Sequence, residues 1–217
     1  MNKRQSLFVA FNLALIASTP ALASHPCSSP LILDLDGDGL IATTGLWRSV
    51  FFDINGDGVA EEIGWTSEYY QDAFLWLDRN DNRVVDNGRE LFGNATLLAD
   101  GTLAANGFEA LAVWDTASLG GNEDGFLSEE DLVWRRLRLW VDRNHDGVSQ
   151  PDEILTLPSQ RIRAIGLEYE KINRGSGNLN VHLLKGGFVK PVEIYGESFN
   201  RLELMEDVLF IFRDPPE

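Results

Sequence analysis

Short acidic runs with an internal period of two recur along this 217-residue chain, and they constrain its fold more than any hydrophobic pattern does. The fullest is Asp142-Arg-Asn144-His-Asp146-Gly147-Val148-Ser-Gln-Pro-Asp-Glu153, which meets every position of D-x-[DN]-x-[DN]-G-x5-E. Side chains at positions 1, 3 and 5 of such a turn converge on one point. Glycine at position 6 makes the bend, position 7 lends its backbone carbonyl, and an acid at position 12 closes the shell. That donor set suits Ca²⁺, which takes six to eight hard oxygens at about 2.3–2.6 Å. Asp142, Asn144, Asp146, Val148 and Glu153 are the ligands this reading selects.

Four further runs carry the same signature with departures. Asn122, Asp124, Phe126 and Asp131 fit positions 3, 5, 7 and 12 of a loop whose position 1 is Gly120; Asp115 can serve as the first ligand if residues 116–121 bulge out. Asp78, Asn80, Asn82 and Val84 alternate correctly, but Arg83 stands where glycine makes the bend, and Glu90 comes one residue late. Near the start lie Asp34, Asp36, Asp38 and Leu40, then Asp53, Asn55, Asp57 and Val59, both with glycine at position 6. Their twelfth positions are Gly45 and Gly64, so the closing oxygens must come from Glu61, Glu62, another loop or water.

The flanks set the fold expectation. Leu31-Ile-Leu and Val50-Phe-Phe are β-prone and feed the first two loops. Phe108–Trp114 and the series Leu132, Val133, Leu137, Trp140, Val141 have helical spacing, with Ser128/Asp131 and Ser149/Asp152 as capping pairs. The expected class is α+β: strand-fed and helix-framed EF-hand-like loops, followed by a β-rich C-terminal portion with a hairpin turn near Lys185-Gly-Gly. The six tryptophans read most simply as core, with a carbohydrate-binding aromatic platform as the alternative.

Residues 1–23 have the form of an export leader: Lys3 and Arg4, an apolar run Leu7–Ile16 and an Ala21-Leu-Ala23 cleavage site. A single domain over 24–217, periplasmic or extracellular and without stable membrane insertion, is then expected. Removing the leader takes away two positive charges and moves the formal charge from −16 to −18, with 16 Lys+Arg against 34 Asp+Glu. That balance disfavours nucleic acid, whose phosphates need Lys and Arg, and suits multivalent cations. Cys27 is the only cysteine, so no intramolecular disulfide forms; beside His25 it reads as a terminal thiol. No G-x-S-x-G, H-E-x-x-H or phosphate-cradling glycine run is present, and no catalytic residue is assigned.

The ordered series Pro30-Leu-Ile-Leu-Asp-Leu-Asp-Gly-Asp-Gly39, Phe51-Phe-Asp-Ile-Asn-Gly-Asp-Gly58, Gly64-Trp65, Leu77-Asp-Arg-Asn80, Asp86-Asn-Gly-Arg-Glu-Leu-Phe-Gly93, Asn106-Gly-Phe-Glu-Ala-Leu111, Leu137-Arg-Leu-Trp140 and Asp146–Leu155 resembles the calcium-dependent self-processing module of bacterial RTX, iron-regulated FrpC-like proteins and related stand-alone calcium-binding proteins. The resemblance covers residues 30–172 and leaves 173–217 as an extension. It implies calcium-triggered cleavage of an Asp-Pro bond before the first strand, through attack of the aspartate carboxyl on its own peptide carbonyl. Here the corresponding bond is Ser29-Pro30, and serine has no carboxylate for that step; the only Asp-Pro pair is Asp214-Pro215. The function expected is binding of several Ca²⁺ ions that fold and stabilise an exported protein. The alternatives are autoprocessing and calcium-dependent docking of a protein or carbohydrate partner.

Overall fold

The computed structural model describes residues 28–213; the expected leader, His25, Cys27 and Asp214-Pro215 lie outside them. Twelve strands and one short helix are present among the described residues. The strands are β1 (Leu31–Asp34), β2 (Val50–Phe52), β3 (Glu61–Ile63), β4 (Asp72–Leu77), β5 (Phe126–Ser128), β6 (Leu137–Trp140), β7 (Ile154–Thr156), β8 (Ala164–Gly166), β9 (Glu170–Gly175), β10 (Val181–Ile194), β11 (Glu197–Leu209) and β12 (Phe212–Arg213). The helix α1 is Gly107–Ala112.

Nine strands form one antiparallel sheet in the order β5-β8-β10-β11-β1-β4-β6-β7, with β9 also pairing to β10. The second sheet is β12-β3-β2. Strand parity sorts the core into two. Leu31, Leu33, Ala73, Leu75, Leu77, Leu137, Leu139 and Met205 face one cluster, which also takes Phe108, Trp134 and Phe188. Their alternates Ile32, Phe74, Trp76, Trp140 and Val208 face the other, with Phe52 and Trp65 from the small-sheet side. Period-two alternation of this kind is what a sheet with an apolar layer on each face requires.

The helix-framed α+β expectation is corrected by this structure, which is mostly β. Residues 132–136 make only tight turns, with Trp134 N–H on the Asp131 carbonyl and Arg136 N–H on that of Val133, and the chain then enters β6. In Leu137-Arg-Leu-Trp140 the period of two prevails over the helical spacing, because pairing with β4 and β7 buries both faces. Ser128 and Asp131 do form the capping pair, Ser128 N–H donating to Asp131 Oδ2 at 2.7 Å, but no helix follows it. Ser149 instead accepts the Val85 N–H at 2.9 Å. Only the Phe108–Trp114 run is helical, as α1 and one 3-10 turn.

The C-terminal hairpin is real but turns elsewhere. Lys185-Gly-Gly lies inside β10, and the reversal is Tyr195-Gly196, both left-handed at φ 52° and 84°. The two inner glycines answer to packing. A Cβ on Gly186 would stand 2.5 Å from the Phe108 ring, and one on Gly187 2.8 Å from the Glu203 carbonyl. Of the tryptophans, Trp65, Trp76, Trp134 and Trp140 are core, Trp114 is half-buried, and Trp47 is 76% exposed.

Two outcomes follow from this architecture. Far-UV circular dichroism should show a strand-dominated spectrum; a strong helical double minimum would contradict it. Phe74→Ala, in the centre of the aromatic cluster with Trp65 at 4.6 Å and Trp140 at 5.5 Å, should cost about 3–5 kcal/mol in urea unfolding.

Candidate metal centre

The five acidic runs sit where strands end. The second loop links β2 to β3, and the fifth links β6 to β7, so each is the turn of a hairpin. The third leaves β4 and returns at Leu91, which bridges back to Trp76. The first leaves β1, and the fourth runs from the 3-10 turn after α1 into β5. The EF-hand-like turn therefore stands here without EF-hand helices.

All five share one backbone. Position 4 is left-handed in each, at Gly37, Gly56, Asp81, Glu123 and His145, and so is position 6, at Gly39, Gly58, Arg83, Gly125 and Gly147. The position-1 carboxylate explains why. Its Oδ2 accepts the position-6 N–H: Gly39 to Asp34 at 2.8 Å, Gly58 to Asp53 at 2.9 Å, Arg83 to Asp78 at 2.8 Å, Gly125 to Asp115 at 2.9 Å and Gly147 to Asp142 at 2.8 Å. Position 3 accepts from position 5 in every loop, at Asp36, Asn55, Asn80, Asn122 and Asn144. Position 5 accepts from position 7, at Asp38, Asp57, Asn82, Asp124 and Asp146. The position-7 side chains, Leu40, Val59, Val84, Phe126 and Val148, are all apolar yet 40–55% exposed, as expected where only the main chain is used.

Residues 116–121 do bulge out of the fourth loop. Gly121 N–H closes on the Thr116 carbonyl, and Glu123 N–H rejoins the Asp115 carbonyl at 2.9 Å, which sets Asp115 in position 1. Arg83 adopts φ 66°, a conformation that costs a non-glycine residue about 1–2 kcal/mol.

A buried acid closes each turn. Glu61, Glu90, Asp131 and Glu153 are at most 4% exposed. Three of them accept the N–H of the second loop residue: Ile54 to Glu61 at 3.2 Å, Arg79 to Glu90 at 3.0 Å and Arg143 to Glu153 at 2.8 Å. For the first loop the sequence offers no such acid, and the structure supplies Asp72, which pairs in register with Asp34 across β1 and β4. Asp72 is 2% exposed; its Oδ2 accepts the Ala42 N–H at 2.8 Å, while its Oδ1 has no partner. An orphaned buried carboxylate oxygen costs free energy unless a cation or donor meets it. Asp72 went unseen in the sequence because strand pairing, not spacing, brings it to Asp34. Its one signal is an acid opening an otherwise apolar strand.

Ligand atoms of Asp34, Asp36 and Asp38 lie within 4.8 Å of one another, as do those of Asp53, Asp57 and Glu61. The fifth loop, fullest in sequence, is not drawn together so closely. There Asp142 Oδ2 accepts the Trp65 indole N–H at 2.8 Å, and Glu153 Oε2 that of Trp140 at 3.3 Å, so two core tryptophans hold the site acids. Loops two, three and five also touch. Gly88 N–H donates to the Asp53 carbonyl at 2.8 Å, and Ser149 links the fifth loop to Val85 of the third.

Crowding and burial move the carboxyls. Burial pushes Asp34, Glu61, Glu90 and Asp142 above the usual carboxylate range, partly offset by the amides donating to them. Asp72 is pushed up to about 8, by burial first and then by Asp34, Asp36 and Asp38. A divalent cation among these oxygens fits the donor chemistry and relieves the repulsion.

The chain matches the model of the SPM domain over residues 31–195. It is 39% identical over 163 residues to the iron-regulated protein FrpA of Neisseria meningitidis serogroup C, covering 74% of this chain and 14% of that relative. The fold and loops thus define a β-sheet protein with five repeated acidic turns, and the chain belongs to the SPM domain family. The resemblance to iron-regulated FrpC-like proteins is borne out at that level. The chain spans only a small part of the relative it matches. Among the described residues no helix is long and apolar enough to cross a membrane, which says nothing of a β-barrel.

A carboxyl raised in the folded state favours folding while protonated, and the benefit fades as pH climbs to its folded value. For Asp72 that window runs from 3.8 to about 8. In EDTA the melting temperature should therefore fall between pH 5 and pH 8, and saturating calcium should flatten the fall. A metal-free protein that grows steadily more stable over that range would contradict the geometry. Arg83→Gly should raise stability by about 1 kcal/mol by relieving the left-handed backbone, measured by urea unfolding with calcium present.

Proposed function

We infer that the protein binds several Ca²⁺ ions in these turns and that the ions serve chiefly to fold and stabilise it. The observation that carries this is the fivefold recurrence of one backbone and one hydrogen-bond pattern, each turn closed by a buried acid. In this reading positions 1, 3 and 5, the position-7 carbonyl and the closing acid are ligands, with Asp72 completing the first loop in place of a local glutamate. With free calcium near 1 mM and a site Kd of about 10 µM, each filled site would add about 2.7 kcal/mol. A few such sites would match the net stability of a whole domain, about 5–15 kcal/mol. The form of residues 1–23 supports export, where calcium is abundant.

Self-processing is the second reading, favoured by the family. Against it stands the residue before Pro30. Ser29 is 1% exposed and its N–H donates to Asn94 Oδ1 at 2.9 Å, while the Pro30 carbonyl accepts from Val208, so the bond is held at the mouth of β1 without an aspartate immediately before the proline; the carboxyl beside Ser29 is that of Asp207 on β11, which its side chain meets in a hydrogen bond.

Calorimetric titration with CaCl₂ should resolve more than one ion per chain, and Asp72→Asn and Asp142→Asn should each remove or weaken one of them at least tenfold. Absence of binding heat, or variants that titrate like the parent, would overturn the calcium reading. Intact mass should be unchanged after incubation with calcium; a discrete loss at Ser29-Pro30 would bring self-processing to the front.

A further inference from the structure

Arg83, the residue that departs from the calcium-loop pattern, projects into a cleft it shares with three more arginines. The cleft has a volume of about 520 Å³ and is walled by Arg83, Arg135, Arg136 and Arg138. Trp76, Pro151 and Ile154 give it an apolar side, and Asp78 and Asp81 stand at it as well. It lies where β4, β6 and the third loop meet, Trp76 and Arg138 being cross-strand partners.

Acids outnumber bases 34 to 18 in this chain, so an arginine has many carboxylates within reach. Other arginines use them: Arg48 pairs with Glu68, Arg174 with Glu206, Arg201 with Glu203 and Arg213 with Glu62. Among the described residues none of the four cleft arginines is in an ion pair. Their hydrogen bonds go to backbone carbonyls: Arg136 Nη2 to Asp78 at 3.2 Å, and Arg138 Nη1 to Arg135 at 2.7 Å and Leu137 at 2.8 Å. These bonds fix two guanidinium groups without neutralising them. A second, independent feature lies in the same wall. Trp76 is 1% exposed, and its indole N–H has no acceptor.

We propose that this cleft binds a small oxyanion, a carboxylate or phosphate joined to an apolar group, with the arginine forks and the Trp76 indole N–H taking the anion and the Pro151 and Ile154 side taking the apolar part. Guanidinium forks match the paired oxygens of both anions, and all four cations here are arginine rather than lysine. Four positive charges against two negative ones make a local positive field on an otherwise acidic molecule, which selects small anions over extended polyanions that the rest of the surface repels. Asp78, Asp81 and Arg83 belong to the third loop, so the cleft adjoins that turn and is tested with calcium bound.

The test is calorimetric titration of the calcium-loaded chain with phenyl phosphate and with benzoate, using benzylamine as the charge-reversed control. At least one anion should bind at a Kd of about 1 mM or tighter, benzylamine should give no heat, and which anion binds distinguishes a phosphate from a carboxylate ligand. Arg135 is exposed, lies outside the loops and makes no hydrogen bond through its side chain, so R135A should melt like the parent yet bind the anion at least tenfold more weakly. R135K should restore only part of the affinity, since it returns the charge without the fork. Failure of both anions, equal binding of benzylamine, or an unaffected R135A variant would overturn the proposal.

Discussion

The hydrogen bond from the position-6 amide to the position-1 carboxylate organises everything else. It fixes two left-handed residues per turn, and these aim the next two oxygen side chains at one point. Because the turns cap strands of a closely packed sheet, the aspartates cannot swing away to water. Asp34, Asp115 and Asp142 are buried, and so is every closing acid. The fold thus concentrates negative charge at the strand ends, which only protons or cations can offset.

The sheet tolerates this because one of its two apolar layers is bound to the fifth turn. Trp65 and Trp140 pack against each other at 5.5 Å in one core cluster, and each sends its indole N–H to an acid of the fifth loop. An ion drawn into that loop would act on the same residues that hold the aromatic cluster together. Side chains with one apolar face and one donor suit that task. Stability and metal loading are therefore expected to be one cooperative property.

The local half of this architecture was legible in the sequence. Oxygen positions and the bulge after Asp115 follow from spacing within a dozen residues, and β1 and β2 follow from their apolar runs. The framing helices were misread because Leu132, Val133, Leu137, Trp140 and Val141 fit a helical stripe as well as a turn followed by a two-sided strand. Pairing with β4, remote in sequence, decided between them. Asp72 was invisible for the same reason, and Tyr195-Gly196 was overshadowed by a glycine pair that exists to admit Phe108 and the β11 backbone. Residues set by neighbours far along the chain carry no local signature.

The central claim is that calcium holds the fold together, and thermal melting of the full chain in EDTA and in millimolar CaCl₂ tests it most directly. Two or more filled sites at about 2.7 kcal/mol each, with about 2–4 °C per kcal/mol for a protein this size, predict a rise of about 10 °C or more. Identical melting curves in the two buffers would contradict the account.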